Sequence, residues 1–333
     1  MKHVITDWDG MIVDSERARA IGWVMAFSYT MGVDNTKFAV HAIREGSSDA
    51  KKYIDGFIRD HEAEIDKAMT FGGPTTNVVA GRVYGHMRYD NSEWIPGKDA
   101  HQFRGKFLNT RKEIRDPLLK MYSTPIEENI RFFEALYHAM LLEHDDPNPL
   151  AIVTSQSMDV ICRWFEHGDR RGWWNADFSD MFNRDIIRGE THYHMVSSGD
   201  DLMNQDPDSA QKLAEGYSYK ADAYRNICPR LGIRPEETIT FEDTDAGISA
   251  AREAGIGGVI GVRGDGNPHG MKGADVIISP NLEAYVAAIP IIASGTPEEA
   301  VEAFMHCNNA QVAGLEGGDP LGSNPFRNNP PIL

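Results

Sequence analysis

A chain of 333 residues is longer than a usual single domain of ~100–200, so a core domain with a second domain or large insertions is expected. Its 41% hydrophobic and 25% charged residues suit a globular protein, and a net charge of −17 argues against duplex nucleic acid or an anionic membrane as the main partner. No apolar run approaches the ~18 residues that cross a membrane. The chain enters its first apolar run at once, with no room for a signal peptide, so a cytoplasmic location is the expectation. Cys162, Cys228 and Cys307 lie far apart, which points to separate thiols rather than a disulfide framework or a metal site.

The first element is a short apolar run, Val4-Ile5, that leads into Asp7, Trp8, Asp9 and Gly10. An open parallel sheet binds ligands beyond the carboxyl ends of its strands, near a topological switch point. A first strand ending at Asp7 therefore puts one carboxylate at that mouth, and a tight turn at Gly10 would return Asp9 to it. Carboxylates that close repel unless a cation or a shared proton relieves them, and a hard divalent metal suits them. The same residues also suit a solvated turn.

From Ser15 to about Leu119 the spacing predicts mostly helix. Residues 17–31 carry Ala20, Val24, Phe27 and Met31 and stop at Gly32. Residues 50–65 carry one stripe of Tyr53, Ile54, Phe57, Ile58 and Ile65. Gly72-Gly73-Pro74 and Trp94-Ile95-Pro96-Gly97 read as breaks, and 101–122 as another helix. Thr124-Pro125 before Glu127 and Glu128 reads as the entry to a further helix with Ile130, Phe133, Leu136, Tyr137 and Met140.

Residues 150–155 form a predicted buried strand ending in Thr154 and Ser155, followed by an amphipathic segment, 160–165. The stretch 168–219 is irregular, apart from a short strand near Ile186-Ile187. Order returns at Lys220 with a helix over 221–231, a strand over 238–241 ending in Glu242-Asp243, and a small-residue helix over 248–254. Two more strands follow near 258–262 and 276–278, and the Gly-, Pro- and Asn-rich stretch from Gly314 reads as a loose tail. This strand–helix alternation argues for a parallel α/β sheet.

Polar groups thus follow each of three predicted strands, with Lys220 just ahead of a helix between the last two. Singly, Thr154 or Ser155 fits a helix N-cap, Lys220 a surface charge and Glu242-Asp243 a turn. Together, in this order, they suit one site at the sheet mouth.

The segments DWDGMIVDSE (7–16), IVTSQS (152–157), YKADAY (219–224) and TFEDTDAGISAAREAGI (240–256) resemble the four motifs of the haloacid dehalogenase superfamily. The nearest resemblance is to its capped subgroup of β-phosphoglucomutase-like and phosphoglycolate phosphatase-like enzymes. The fold this implies is α/β: a Rossmann-like parallel sheet core of residues 1–14 and 123–290 with a helical cap, 15–122, inserted. Residues 291–333 would be a partly irregular extension that covers the core or a neighbouring subunit, leaving a homo-oligomer open.

The resemblance implies that Asp7 is the nucleophile that takes the phosphoryl group and that Asp9 is general acid and then base, protonated in the free state. Thr154 and Lys220 would hold the transferring group, with Ser155 beside them. Mg²⁺ would lie between Asp7, the Asp9 carbonyl and Asp243, with Glu242 orienting a metal-bound water. Asp245 would cap the following helix. Arg44, Gly46 and Ser47 resemble the cap loop that chooses the substrate, although a helix-capping turn fits them equally. A haloalkanoate dehalogenase would not need Asp9, and Lys51, Lys52 and Lys67 read as surface charges rather than as a Schiff-base lysine.

The chain departs from the pattern in three places. Lys220 lacks a Gly-Lys-Pro setting, the stretch between Thr154 and Lys220 is long, and Trp173-Trp174 and His192/His194 have no counterpart. Alternate histidines share one side of a strand, but two are too few for a ligand set. The function implied is a Mg²⁺-dependent phosphatase of a small phosphorylated metabolite. A sugar-phosphate mutase and a non-catalytic binding module are the alternatives.

Overall fold

The run Val4–Thr6 has no room for solvent on either face and forms β1, the centre of a six-stranded sheet. The computed structural model describes residues 3–69, 83, 100–144, 149–173, 184–187, 190–193, 195–214, 217–263 and 271–316. On one side β1 pairs in parallel with β4 (Leu150–Thr154), and β4 with β7 (Val196–Ser198). On the other it pairs in parallel with β8 (Ile239–Glu242), followed by β9 (Gly258–Val262) and β10 (Val276–Ile278). The strand order therefore reverses direction at β1, which is where such a sheet opens a crevice for ligands.

Both faces are covered, so β1, β4, β8 and β9 are buried throughout, as expected of a parallel sheet between helices. On one face Phe241 meets Phe132, Phe133 and Phe304 edge-on at 5.4–5.8 Å between centroids. Phe304 belongs to the helix Pro297–Glu316, so residues expected to form a partly irregular extension contribute a helix to the core.

Residues 20–118 supply a separate apolar cluster that includes Ile21, Val24, Phe57 and Ile114. It is built by helices α1 (Glu16–Met31), α2 (Asp34–Arg44), α3 (Ala50–Asp60), α4 (Glu62–Met69) and α5 (Ala100–Tyr122). The chain enters and leaves this helical cap side by side, since β2 (Val13–Asp14) and β3 (Thr124–Pro125) pair antiparallel. Thr124-Pro125 is thus a strand rather than a helix entry, and the helix begins at Glu127. The single stripe expected over 50–65 is broken at His61, whose φ of −130° leaves the helix. The polar run 59–62 offers no apolar side chain there to keep one face buried.

The strand near Ile186 is β5 (Arg184–Ile187), paired with β6 (Glu190–Tyr193). Helix α2 and strand β7 escaped the sequence reading, the latter because two of its three residues are serines. The expected breaks at 72–74 and 94–97, Trp174, His194 and the tail beyond 316 lie outside the described residues. No helix among the described residues is long and apolar enough to cross a membrane.

Trp8 sets the geometry that matters most. It is fully buried and packs on Phe165 at 4.9 Å and Trp164 at 6.5 Å, which turns its two acidic neighbours the other way, toward the sheet mouth. Trp8→Ala is expected to destabilise the protein by about 3–5 kcal/mol, measured by urea denaturation, and to lower activity as both acids shift.

Candidate active site

Three adjacent strand ends converge at one edge of the sheet: Asp7 after β1, Thr154 at the end of β4, and Glu242-Asp243 at the end of β8. The Asp7 N–H donates to the Phe241 carbonyl at 3.0 Å, which extends the ladder one residue past β1 and fixes the nucleophile candidate against β8. Its Oδ1 accepts from the Trp8 N–H at 2.7 Å. Its Oδ2 accepts from Lys220 Nζ at 2.8 Å. The lysine also lies 2.8 Å from Glu242 Oε1 and 3.1 Å from Oε2, so one ammonium serves two buried carboxylates.

Lys220 sits in the first turn of the helix Tyr219–Leu231, which is capped by Ser218. The missing Gly-Lys-Pro setting is therefore no obstacle: a serine cap and the helix direction aim the side chain. Tyr224, one turn later on the same face, donates to Glu242 and lies 2.9 Å from Thr240 Oγ1. The sequence reading missed Tyr224, and the i, i+4 spacing from Lys220 is the signal that finds it.

Oxygens of Asp7, Glu242 and Asp243 lie within 4.8 Å of one another. Burial raises the Asp7 carboxyl above its usual range, against the pull of Lys220 and with added repulsion from Asp9. Burial pushes Glu242 up to about 7, again opposed by Lys220, and raises Asp243 strongly, with Asp7 and Glu242 adding to it. For Lys220 burial acts the other way, but Asp7 and Glu242 outweigh it and hold the ammonium charged. A single lysine does not balance three carboxylates, and a hard dication does. The donor set is oxygen only, as Mg²⁺ prefers. Gly10 adopts φ +76°, and a Cβ there would fall 1.8 Å from Asp243 Oδ2, so only a glycine lets this carboxylate approach the turn after β1.

Asp9 belongs to a second group of contacts. Ser15 Oγ donates to its Oδ1 at 2.6 Å, Gln156 Nε2 to its Oδ2 at 3.0 Å, and the Arg19 guanidinium also pairs with Oδ2. Both oxygens are acceptors in this arrangement, whereas the expected role of Asp9 as an acid asks it to donate. Ser15 and Arg19 stand i, i+4 at the start of α1, directly after the DWDG segment, and Gln156 two residues past Thr154. Spacing alone would have found all three.

Thr154 is fully buried, and its hydroxyl accepts the Gln156 N–H at 3.0 Å, with Ser155 exposed beside it. Neither is an N-cap, because the next helix, Met158–Arg171, has Ser157 in that position. Asp245 is not a cap either. Thr244 Oγ1 takes the Gly247 N–H at 3.1 Å, and the Asp245 carboxylate takes the Lys272 N–H at 3.0 Å.

The expected cap loop lies apart from this group. Arg44 is engaged within the cap, donating to Glu113 at 2.7 Å and to the Tyr29 hydroxyl at 2.9 Å. Gly46 turns the chain with φ +62°, and Ser47 Oγ takes the Asp49 N–H at 3.2 Å. Among the described residues, no contact joins these three to Asp7, Asp9, Thr154 or Lys220.

No protein-family model matches the chain. It is 29% identical over 235 residues to a phosphorylated carbohydrates phosphatase of Thermotoga maritima, a match spanning 68% of this chain and 92% of that protein. Among solved structures it resembles a HAD family hydrolase from Deinococcus radiodurans R1 with bound phosphate and sodium: 17% identity, 86% of this chain, 94% of the other, TM-score 0.48. It also resembles a protein described as a predicted phosphoglycolate phosphatase from Haemophilus somnus 129PT, at 14% identity, 86% and 97% coverage and TM-score 0.49. A third is CbbY from Rhodobacter sphaeroides in complex with xylulose-1,5-bisphosphate, at 16% identity, 84% and 93% coverage and TM-score 0.45. The four segments stand in sequence order and bring Asp7, Thr154, Lys220 and Glu242-Asp243 to one end of a single parallel sheet, an arrangement similar to that of the haloacid dehalogenase superfamily.

Proposed function

We propose that the protein is a Mg²⁺-dependent phosphatase of a small phosphorylated metabolite, acting through an aspartyl phosphate on Asp7. The observation that carries this reading is the Lys220 ammonium shared between Asp7 and Glu242 beside Asp243. It leaves one carboxylate oriented for attack, with a cation next to the charge that develops on the phosphoryl oxygens. The phosphatase relative of Thermotoga maritima supports it too.

In this mechanism Asp7, held by the Trp8 N–H and Lys220, attacks phosphorus, the bond to the ester oxygen breaks, and the phosphoryl group passes to the Asp7 oxygen. The Thr154 hydroxyl and Lys220 bear on the phosphoryl oxygens. Asp9 gives its proton to the leaving oxygen and later takes one from the water that opens the aspartyl phosphate. To do so it exchanges one of its three donors for the substrate, and Arg19, which comes from the cap, is the contact that cap movement would break. Asp7, Asp243 and the Asp9 carbonyl would hold Mg²⁺, with Glu242 behind them. When bound, the ion neutralises the carboxylates and the phosphoryl charge. We also propose the division into a core of residues 1–14 and 123–290 with a cap of 15–122, in keeping with the two apolar clusters.

Assay of a panel of phosphate esters with Mg²⁺ is expected to release inorganic phosphate, and EDTA is expected to remove at least about 100-fold of the rate. Isomerised ester without phosphate release would indicate a mutase. No turnover and no trapped phosphoenzyme with any ester would leave a binding module and sink the proposal.

A further inference from the structure

The side chains that hold Asp7 do not end at Lys220. On β8, Thr240 and Glu242 are two residues apart and share a face, while Phe241 between them packs into the aromatic cluster on the other. Tyr224 lies across from that face, and all three polar side chains are fully buried. The Tyr224 hydroxyl donates to Glu242 Oε1. That uses its one proton, so the 2.9 Å contact with Thr240 Oγ1 runs the other way, with the threonine donating to the tyrosine oxygen. The chain from Thr240 through Tyr224 to Glu242 therefore has a single sense and ends on the carboxylate.

Glu242 is confined on its other sides too. A Cβ on Gly247, in the first turn of the helix Asp245–Glu253, would fall 1.8 Å from Oε2 and 2.3 Å from Cδ, and the bare glycine is what lets the carboxylate lie against that helix. Lys220 Nζ lies 2.8 Å from Oε1 and 3.1 Å from Oε2, and also 2.8 Å from Asp7 Oδ2. One ammonium thus serves two carboxylates, and among the described residues Tyr224 is the only other donor to Glu242. A hydrogen bond to a buried carboxylate is charge-assisted and strong. Without the tyrosine hydroxyl Glu242 has Lys220 alone, and the ammonium is drawn from Asp7 toward Glu242.

We propose that Tyr224 is a positioning residue: its hydroxyl fixes Glu242, and through it keeps the Lys220 ammonium on Asp7 and on the phosphoryl group that Asp7 takes. This deepens the phosphatase reading and rests on it. Among the described residues Tyr224 makes no hydrogen bond to Asp7, so its effect runs through Glu242.

Two variants separate positioning from packing. Tyr224→Phe removes the hydroxyl and keeps the ring, whereas Thr240→Val removes the donor behind it and keeps the bond from Tyr224 to Glu242. Each breaks the buried bond between Tyr224 and Thr240, so both are expected to lower Tm. Only Tyr224→Phe is expected to lower kcat, by about 10-fold, the size of a lost hydrogen bond to a charged group, with KM within about 2-fold of the wild type. In a Glu242→Gln background Tyr224→Phe should change kcat by less than about 2-fold further, because the residue it acts through is gone. Unchanged kcat in Tyr224→Phe, equal losses in the two single variants, or the same loss with and without Glu242 overturns the proposal.

A second measurement needs no turnover: calorimetric binding of trifluoroberyllate with Mg²⁺, a mimic of a phosphoryl group on a carboxylate. Tyr224→Phe is expected to weaken it by about 10-fold and Thr240→Val to leave it unchanged. That result upholds the positioning role even if no ester is turned over, in which case it is the phosphatase reading that fails. Equal affinity in the wild type and Tyr224→Phe, or no binding by the wild type, overturns the positioning role.

Discussion

Asp7→Asn is expected to abolish phosphate release, by at least about 10⁴-fold, while the protein remains folded; losses of that order follow removal of a nucleophile that acts within a concerted set. The amide keeps the shape of the carboxylate and can still accept from the Trp8 N–H, so the turn between β1 and Gly10 is retained. What is lost is the anionic oxygen that Lys220 holds at 2.8 Å. The fold also sheds a buried charge whose protonation is already favoured by burial, so its stability should change little. Circular dichroism and a thermal melt check the fold, and phosphate release checks the activity. Trapping the phosphoenzyme checks the assignment itself. If Asp9 carried the covalent phosphate, the Asp7→Asn protein would still acquire label, and the nucleophile would have to be reassigned.

The legible parts of this chain were those where neighbouring residues determine the outcome. Strand β1 and its acids, the hydroxyl end of β4, and Glu242-Asp243 each follow from a short apolar run followed by polar residues. A parallel sheet necessarily brings such ends to one edge. The pairing of Lys220 with Asp7 and Glu242 was legible only as a resemblance, because residues 213 positions apart meet through packing that no local pattern encodes. Arg44 shows the opposite failure. Its loop has the right residue types, but Glu113, 69 positions away, occupies the guanidinium. Thr124-Pro125 was misread because a helix entry and a two-residue strand share composition, and only the partner Val13-Asp14 decides between them.

Lys220→Met is expected to do two things that a merely structural lysine would not do together. In metal-free protein it leaves Asp7, Glu242 and Asp243 buried without their cation, a loss of about 3–5 kcal/mol on the scale of broken buried pairs. The pH dependence has a definite sign. Glu242 is raised from 4.5 to about 7 by burial, so the folded state binds its proton more tightly than the unfolded chain does. The stability it contributes is fully present below about 4.5 and lost as the pH rises through 7. Without Lys220 that rise should be larger, and the deficit of the variant should therefore widen from acid to neutral pH in parallel melts. Mg²⁺ should then stabilise Lys220→Met more than the wild type, because the ion replaces the missing charge. Activity should not return with it. Asp7 would be neutralised, but no ammonium would face the phosphoryl group, and about 10²–10³-fold of the rate should stay lost even when Mg²⁺ has restored the melt. A variant that regains both stability and turnover with Mg²⁺ would show that Lys220 only balances charge, and the transfer step would have to be built on Thr154 alone.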